Sequence, residues 1–293
     1  MVYWQAEQKI RNGLVNLLNN RTEKRLNRYS SVLPELEDKK NFTVDFSLDC
    51  FKRISNDDLQ RLAAEKIFSS EVVVISGRGG TGKTEVVTTV LSFYDQCLET
   101  EEPDEEAQSK MEAFIQENDS FHVENLKSTE ITDEERKEQD KENKKSTSNG
   151  RILYVAPTGK AAAVMRKRAK KDAFTIHQVL FSYRSWRLKK SGEDQSGGGT
   201  SVGEWKFAET RVCAVDECSM VSVVLFSSLI ECLQKASCLT KIVLLGDVLQ
   251  LPSIDPGNFM EDLFNAFRPE GLAIELETNH RSEGSLIFEN ARR

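Results

Sequence analysis

Apolar residues in this chain gather in short unbroken runs: VVVIS at 72–76, ILYVA within RILYVA at 151–156, VCAV opening VCAVDE at 212–217, and IVLL within KIVLLGD at 241–247. Runs of that length, closed by Gly, Asp or basic residues, predict strands buried on both faces. Between them the apolar positions follow a helical period. DDLQRLAAEKIF at 57–68, TEVVTTVLSFYDQC to about 97, GKAAAVMRKRAK and a segment at about 221–235 predict helices. Another helix is expected from near Thr175, where Thr175 and Gln178 have the T-x-x-Q spacing of a capping box. Tyr3, Trp4, Ile10, Leu14, Leu17 and Leu18 predict an amphipathic helix within 1–28 that covers a larger body. Residues 183–210 predict two short strands, SWRLKK and EWKFAE, joined by SGEDQSGGGTSVG, and LAIELETNHRS at 272–282 is the last element. Strands alternating with helices imply a parallel sheet in an α/β fold.

Composition breaks this pattern in one place. Residues 99 to 145 hold 17 of the 47 acidic and 7 of the 40 basic side chains, so the remainder carries three more bases than acids. This stretch, within a 98–149 insertion, predicts a largely disordered acidic segment. Phe121, Val123, Leu126 and Ile131, followed by Asp133, Glu134 and Glu135, suit an amphipathic motif that folds onto a basic groove; a plain solvated linker is the alternative. The six cysteines show no paired metal spacing, and no apolar run approaches a membrane span. The expectation is a soluble protein of the cytosol or the nucleus.

The chemistry sits at the strand ends. Gly77, Arg78, Gly79, Gly80, Thr81, Gly82, Lys83 and Thr84 spell GRGGTGKT, the full pattern of a phosphate-binding loop between a strand and a helix. The glycines let backbone amides approach a phosphate, Lys83 would neutralise its charge, and Thr84 would offer a hydroxyl to Mg²⁺. Asp216 and Glu217 close another strand: Asp216 would hold Mg²⁺ and Glu217 would orient and deprotonate an attacking water. Elsewhere such a pair is a solvated turn or a helix cap. Gln250, in GDVLQLP at 246–252, could touch the γ-phosphate or belong to a structural loop.

With APTGKAA at 156–162, TIHQ at 175–178, DECSM at 216–220, GDVLQLP and ETNHRS at 277–282 following in order, the set resembles superfamily 1 helicases of the RecD-like, 5′-to-3′ branch. The resemblance implies a RecA-like P-loop NTPase lobe: parallel sheet flanked by helices, a small β-hairpin insertion at 183–210 and a helical N-terminal extension. It divides the chain into the tail of an N-terminal domain at 1–53, the lobe at 54–271, and the start of a second RecA-like lobe at 272–293. It implies ATP and Mg²⁺ as cofactors, single-stranded DNA as partner, and a role in DNA replication or repair, hence the nucleus. Gln60 is implied as the adenine-reading glutamine and Arg281 as an arginine finger. Pro157, Thr158, Gly159 and Lys160, with Thr175 and His177, are implied to grip DNA. The acidic insertion implies a docking site for replication protein A through Phe121, Glu130, Asp133 and Glu134. Motifs beyond the fourth are missing, so this chain is expected to lack unwinding activity alone.

From the residues alone, several positions keep a second explanation. Gln60 can be a surface glutamine, Thr158 a helix N-cap, His177 a residue of a capped helix, and Trp186 and Trp205 hairpin core. Arg166, Lys167, Arg168, Lys170 and Lys171 form a nucleic-acid patch or a solvated helix face. For the chain as a whole, the alternatives are a recruitment module and a P-loop NTPase without nucleic acid.

Overall fold

The computed structural model describes residues 2–19, 51, 52, 54, 56–99, 151–193 and 203–280. The strands are β1 (Val72–Gly77), β2 (Ile152–Ala156), β3 (Ala173–Thr175), β4 (Val212–Val215), β5 (Lys241–Gly246) and β6 (Ala273–Leu276). They form one all-parallel sheet in the order β3-β2-β4-β5-β1-β6. Alternation along each strand sorts the apolar side chains between two cores. Val72, Val74, Leu153, Val155, Cys213, Val215, Ile242 and Leu244 belong to one. Val73, Ile75, Ile152, Tyr154, Val212, Ala214, Val243 and Leu245 belong to the other. Because both faces are covered, the strand interiors are apolar, which explains the unbroken runs; Ser76 and Lys241 are buried polar exceptions at strand ends.

The first core is roofed by α1 (Val2–Asn19), α5 (Ile176–Glu193), α6 (Val223–Ala236) and α7 (Phe259–Phe267). The second lies under α2 (Asp58–Ser69), α3 (Lys83–Glu99) and α4 (Gly159–Ala169). The N-terminal helix packs along α6. A Cβ on Gly13 would stand 2.5 Å from Ile230 Cγ2, and Gln234 Nε2 donates to the Gly13 carbonyl at 2.9 Å. Leu14 and Leu17 are each 2% exposed there.

Two expectations are corrected. No hairpin forms where 183–210 is described: residues 176–193 are one helix. Ile176, Val179, Leu180, Tyr183 and Trp186 recur at helical spacing and face the first core. The stretch around Trp205 is a pair of turns, Ala208 N–H donating to Trp205 O and Thr210 N–H to Phe207 O. Trp205 is buried as an aromatic contact of Tyr183 and Phe207, with its Nε1 donating to Ser182 Oγ. The boundary at 271/272 also moves, because β6 pairs with β1 and so completes this sheet. Two elements had no counterpart among the sequence expectations: β3, too short to carry a period, and α7, whose apolar spacing at Phe259, Met260, Leu263, Phe264 and Phe267 was present. The acidic insertion lies outside the described residues.

Parallel strands bring their carboxyl ends to one rim of the sheet. The loops after β1, β2, β4 and β5 all open there, where ligands bind in such sheets.

Candidate active site

The loop after β1 is shaped by glycine. Gly80 and Gly82 have φ of +95° and +82°, a region costly for other residues. At Gly77 a Cβ would meet Thr81 Oγ1 at 2.6 Å and the Leu276 carbonyl at 2.8 Å, so β6 can close on β1 only beside glycine. Thr81 Oγ1 donates to Arg78 O at 2.9 Å and fixes the turn. The α3 helix then begins at Lys83, adding the positive end of its dipole. Lys83 Nζ donates to the carbonyls of Gly77 and Arg78. Burial lowers the Lys83 pKa, and the nearby Asp216, Asp247 and Glu217 carboxylates act against that shift.

Thr84 Oγ1 donates to Asp216 Oδ2 at 3.0 Å, bringing a hydroxyl from the first turn of α3 to a carboxylate at the end of β4. Two hard oxygen donors beside a phosphate cradle fit a Mg²⁺ that keeps its remaining positions for phosphate and water. Asp216 Oδ1 accepts the Glu217 N–H at 2.9 Å. That bond accompanies a left-handed backbone at Glu217, φ 53° and ψ 41°, a sparsely populated conformation for a residue with a Cβ. Burial raises the Glu217 pKa, Asp216 and Asp247 repulsion adds to it, and Lys83 opposes it. Gln250 is set by a turn, its N–H donating to Asp247 O at 3.0 Å, and Ser219 Oγ lies 3.4 Å from its Oε1.

Gln60 is not a surface residue. It is buried in α2, and its Nε2 donates to Thr81 O at 3.0 Å. Three residues not singled out beforehand join it. Asp57 caps α2, Asn279 Nδ2 reaches Gly79 O at 3.5 Å, and the His280 N–H donates to Gly80 O at 3.0 Å. The D-x-x-Q spacing of Asp57 and Gln60 was a legible cap; the partners on the other strand end were not.

One cleft of about 570 Å³ joins these groups. It is lined by Gly79, Gly80, Gly82, Lys83, Thr84, Asp216, Glu217 and Gln250, and it continues to Thr158, Lys160 and Arg168. Thr158 Oγ1 caps α4, accepting the Ala161 N–H at 3.2 Å, while also lining the cleft. Gly159 opens that helix and Pro157 precedes its cap. Thr175 and Gln178 form the reciprocal capping box, Thr175 N–H to Gln178 Oε1 at 2.7 Å and Gln178 N–H to Thr175 Oγ1 at 3.2 Å. His177 is exposed one residue along. Arg281, Phe121, Glu130, Asp133 and Glu134 lie outside the described residues.

The glycine cradle, Lys83 and the Thr84–Asp216 pair on an all-parallel sheet define a P-loop nucleotide-binding lobe of RecA-like architecture. The family model described as "AAA domain" matches residues 127–292, and the chain belongs to this family. GRGGTGKT precedes the matched region, so the phosphate loop stands on its own geometry. DNA helicase B of Mus musculus is 38% identical over 242 residues, covering 81% of this chain and 20% of the mouse protein. The RecBCD enzyme subunit RecD of Mycobacterium tuberculosis is 27% identical over 297 residues, 95% of this chain and 38% of that subunit. The chain therefore spans well under half the length of these relatives. Among solved structures, the Pif1 helicase from Candida albicans is 17% identical, with a TM-score of 0.43 over 80% of this chain and 42% of that one.

Proposed function

We propose that this chain is the ATP-binding lobe of a DNA helicase that couples ATP hydrolysis to movement on single-stranded DNA, 5′ to 3′ by family resemblance. The single observation behind this reading is the shared cleft: Lys83, Thr84, Asp216 and Glu217 line its one part, Thr158 and Lys160 its other. Thr84 and Asp216 would hold Mg²⁺, which would supply positive charge against that of the phosphates. Lys83 leaves its carbonyl partners for the β- and γ-phosphates, and Glu217 takes a proton from the attacking water. Gln250, on the loop after β5, senses the γ-phosphate, and Arg281 is read, by family resemblance, as an arginine finger. Work on DNA in replication or repair would place the protein in the nucleus.

The direct test is ATP hydrolysis with and without single-stranded DNA, beside Lys83→Ala. Hydrolysis that rises with DNA and vanishes in the variant supports the reading; hydrolysis indifferent to DNA favours an NTPase of another kind. For the acidic insertion the reading is a dock for replication protein A, supported by its excess of acids among apolar residues. Charge reversal at Glu130, Asp133 and Glu134 should weaken that binding. Unchanged affinity in a low-salt titration removes the idea.

A further inference from the structure

Two consecutive carbonyls of the phosphate loop are tied back by groups from distant parts of the chain. The His280 N–H holds Gly80 O and Gln60 Nε2 holds Thr81 O, each at 3.0 Å. A trans peptide places a carbonyl and the following N–H on opposite sides, so drawing the Thr81 oxygen outward turns the Gly82 amide toward the cleft. Gly82 lines that cleft, and a Cβ there would stand 2.7 Å from Gln60 Nε2.

Asp57 connects the two ties. Its Oδ1 accepts the N–H groups of Leu59 at 2.9 Å and Gln60 at 3.1 Å, which fixes the turn of α2 that carries Gln60. Its Oδ2 lies 3.0 Å from His280 Nε2. Capping a helix needs only the first of these oxygens. The second reaches a residue 223 positions away that is itself bonded to the phosphate loop. A carboxylate can only accept, so the imidazole Nε2 carries the proton in this contact. Asp57 is 8% exposed. Burial acts to raise its pKa, yet bonds from Gln60, His280, Thr278 and Leu59 leave it lowered.

We infer that Asp57 and His280 are a positioning pair that holds the phosphate loop open for nucleotide, acting through Gln60 on Thr81 and through backbone on Gly80. The inference rests on the reading of the cleft as an ATP site. Asp57→Asn separates positioning from capping, because asparagine caps helices as well as aspartate does. It also sets an amide donor or a neutral oxygen against the ring in place of a carboxylate.

The experiment is calorimetric titration of the 293-residue chain with Mg-ATP and Mg-ADP, for wild type, Lys83→Ala, Asp57→Asn, His280→Asn and the double variant. Each single change at the pair should raise Kd about tenfold for both nucleotides, and the double change by no more than either, as expected of residues acting through one contact. The unfolding midpoint of Asp57→Asn without nucleotide should fall only by the carboxylate's own contribution, leaving the chain folded at the titration temperature. Wild-type affinity in Asp57→Asn, effects that multiply in the double variant, or a fallen midpoint that accounts for the loss would each overturn the pair. If Asp57→Asn does not fold, His280→Asn decides by the same Kd criterion. A wild-type chain that binds no nucleotide, like Lys83→Ala, would instead overturn the reading of the site itself.

Discussion

Glu217 combines three properties a hydrolytic base needs: a left-handed backbone that turns it from the strand, partial burial, and a carboxylate neighbour at Asp216. A raised pKa makes it a stronger base, ionised only at higher pH than an ordinary glutamate. Hydrolysis should therefore fall on the acid side from a pH above the usual carboxylate range, and kcat/KM against pH would read that limb. Glu217→Gln should keep nucleotide binding, lose about 10²–10⁴-fold in kcat, and lose the limb. Asp57 shifts the other way, below its ordinary 3.8. A lowered folded value contributes stability that is complete above the unfolded pKa and lost as pH falls through the folded one. Acid unfolding of Asp57→Asn should accordingly lack the part of the slope below about pH 4 that wild type shows. At this scale, Lys83 and Thr84 were legible because a phosphate cradle needs those residue types in a fixed local order, and Asp216 because it closes an apolar strand run. The Asp57–His280 contact was not, since no local pattern links positions 223 apart.

The elements show what local pattern can and cannot carry. β1, β2, β4 and β5 were legible because burial on both faces demands uninterrupted apolar residues, and these strands begin and end close to where those runs do. The hairpin failed because SWRLKK, read as a strand, continues the helical spacing of Ile176, Val179, Tyr183 and Trp186. Between strands, the closest tolerance is at Gly77. Gly77→Ala should cost about 1–3 kcal/mol as an overpacked site, because one atom it would strike is the Leu276 backbone carbonyl, which cannot swing aside. Gly79→Ala, with nothing within 4 Å of its Cβ, should leave stability near wild type. Chemical denaturation of the two variants makes the comparison. The N-terminal helix offers a second measure: Leu14→Ala should cost about 2–5 kcal/mol if α1 is part of the lobe's core, as its burial against α6 implies. A loss well below that range would mean α1 docks only loosely.

For the whole molecule, the decisive quantity is where positive charge is available, not how much there is. The net charge is -7, which alone argues against a polyanion. The basic residues of α4 and its C-terminal turn separate by their partners. Arg166 donates to Ala173 O at 2.9 Å, and Lys171 is ion-paired with the buried Asp95, so both hold the fold together. Lys160 and Arg168 instead line the cleft that the phosphate loop opens. If a DNA strand runs along this rim, its affinity should depend on Lys160 in the manner of a phosphate contact. Lys160→Ala should then weaken single-stranded DNA binding at low salt and reduce the slope of log K against log salt by about 0.7, one counterion's share for a single strand. Lys171→Ala should leave that slope unchanged and lower thermal stability, because it strands the Asp95 carboxylate without its cation. Anisotropy titrations across several salt concentrations would measure both slopes. Equal slopes for Lys160→Ala and wild type would place the strand elsewhere, and a reduced slope for Lys171→Ala would mean that its ion pair opens to receive a phosphate.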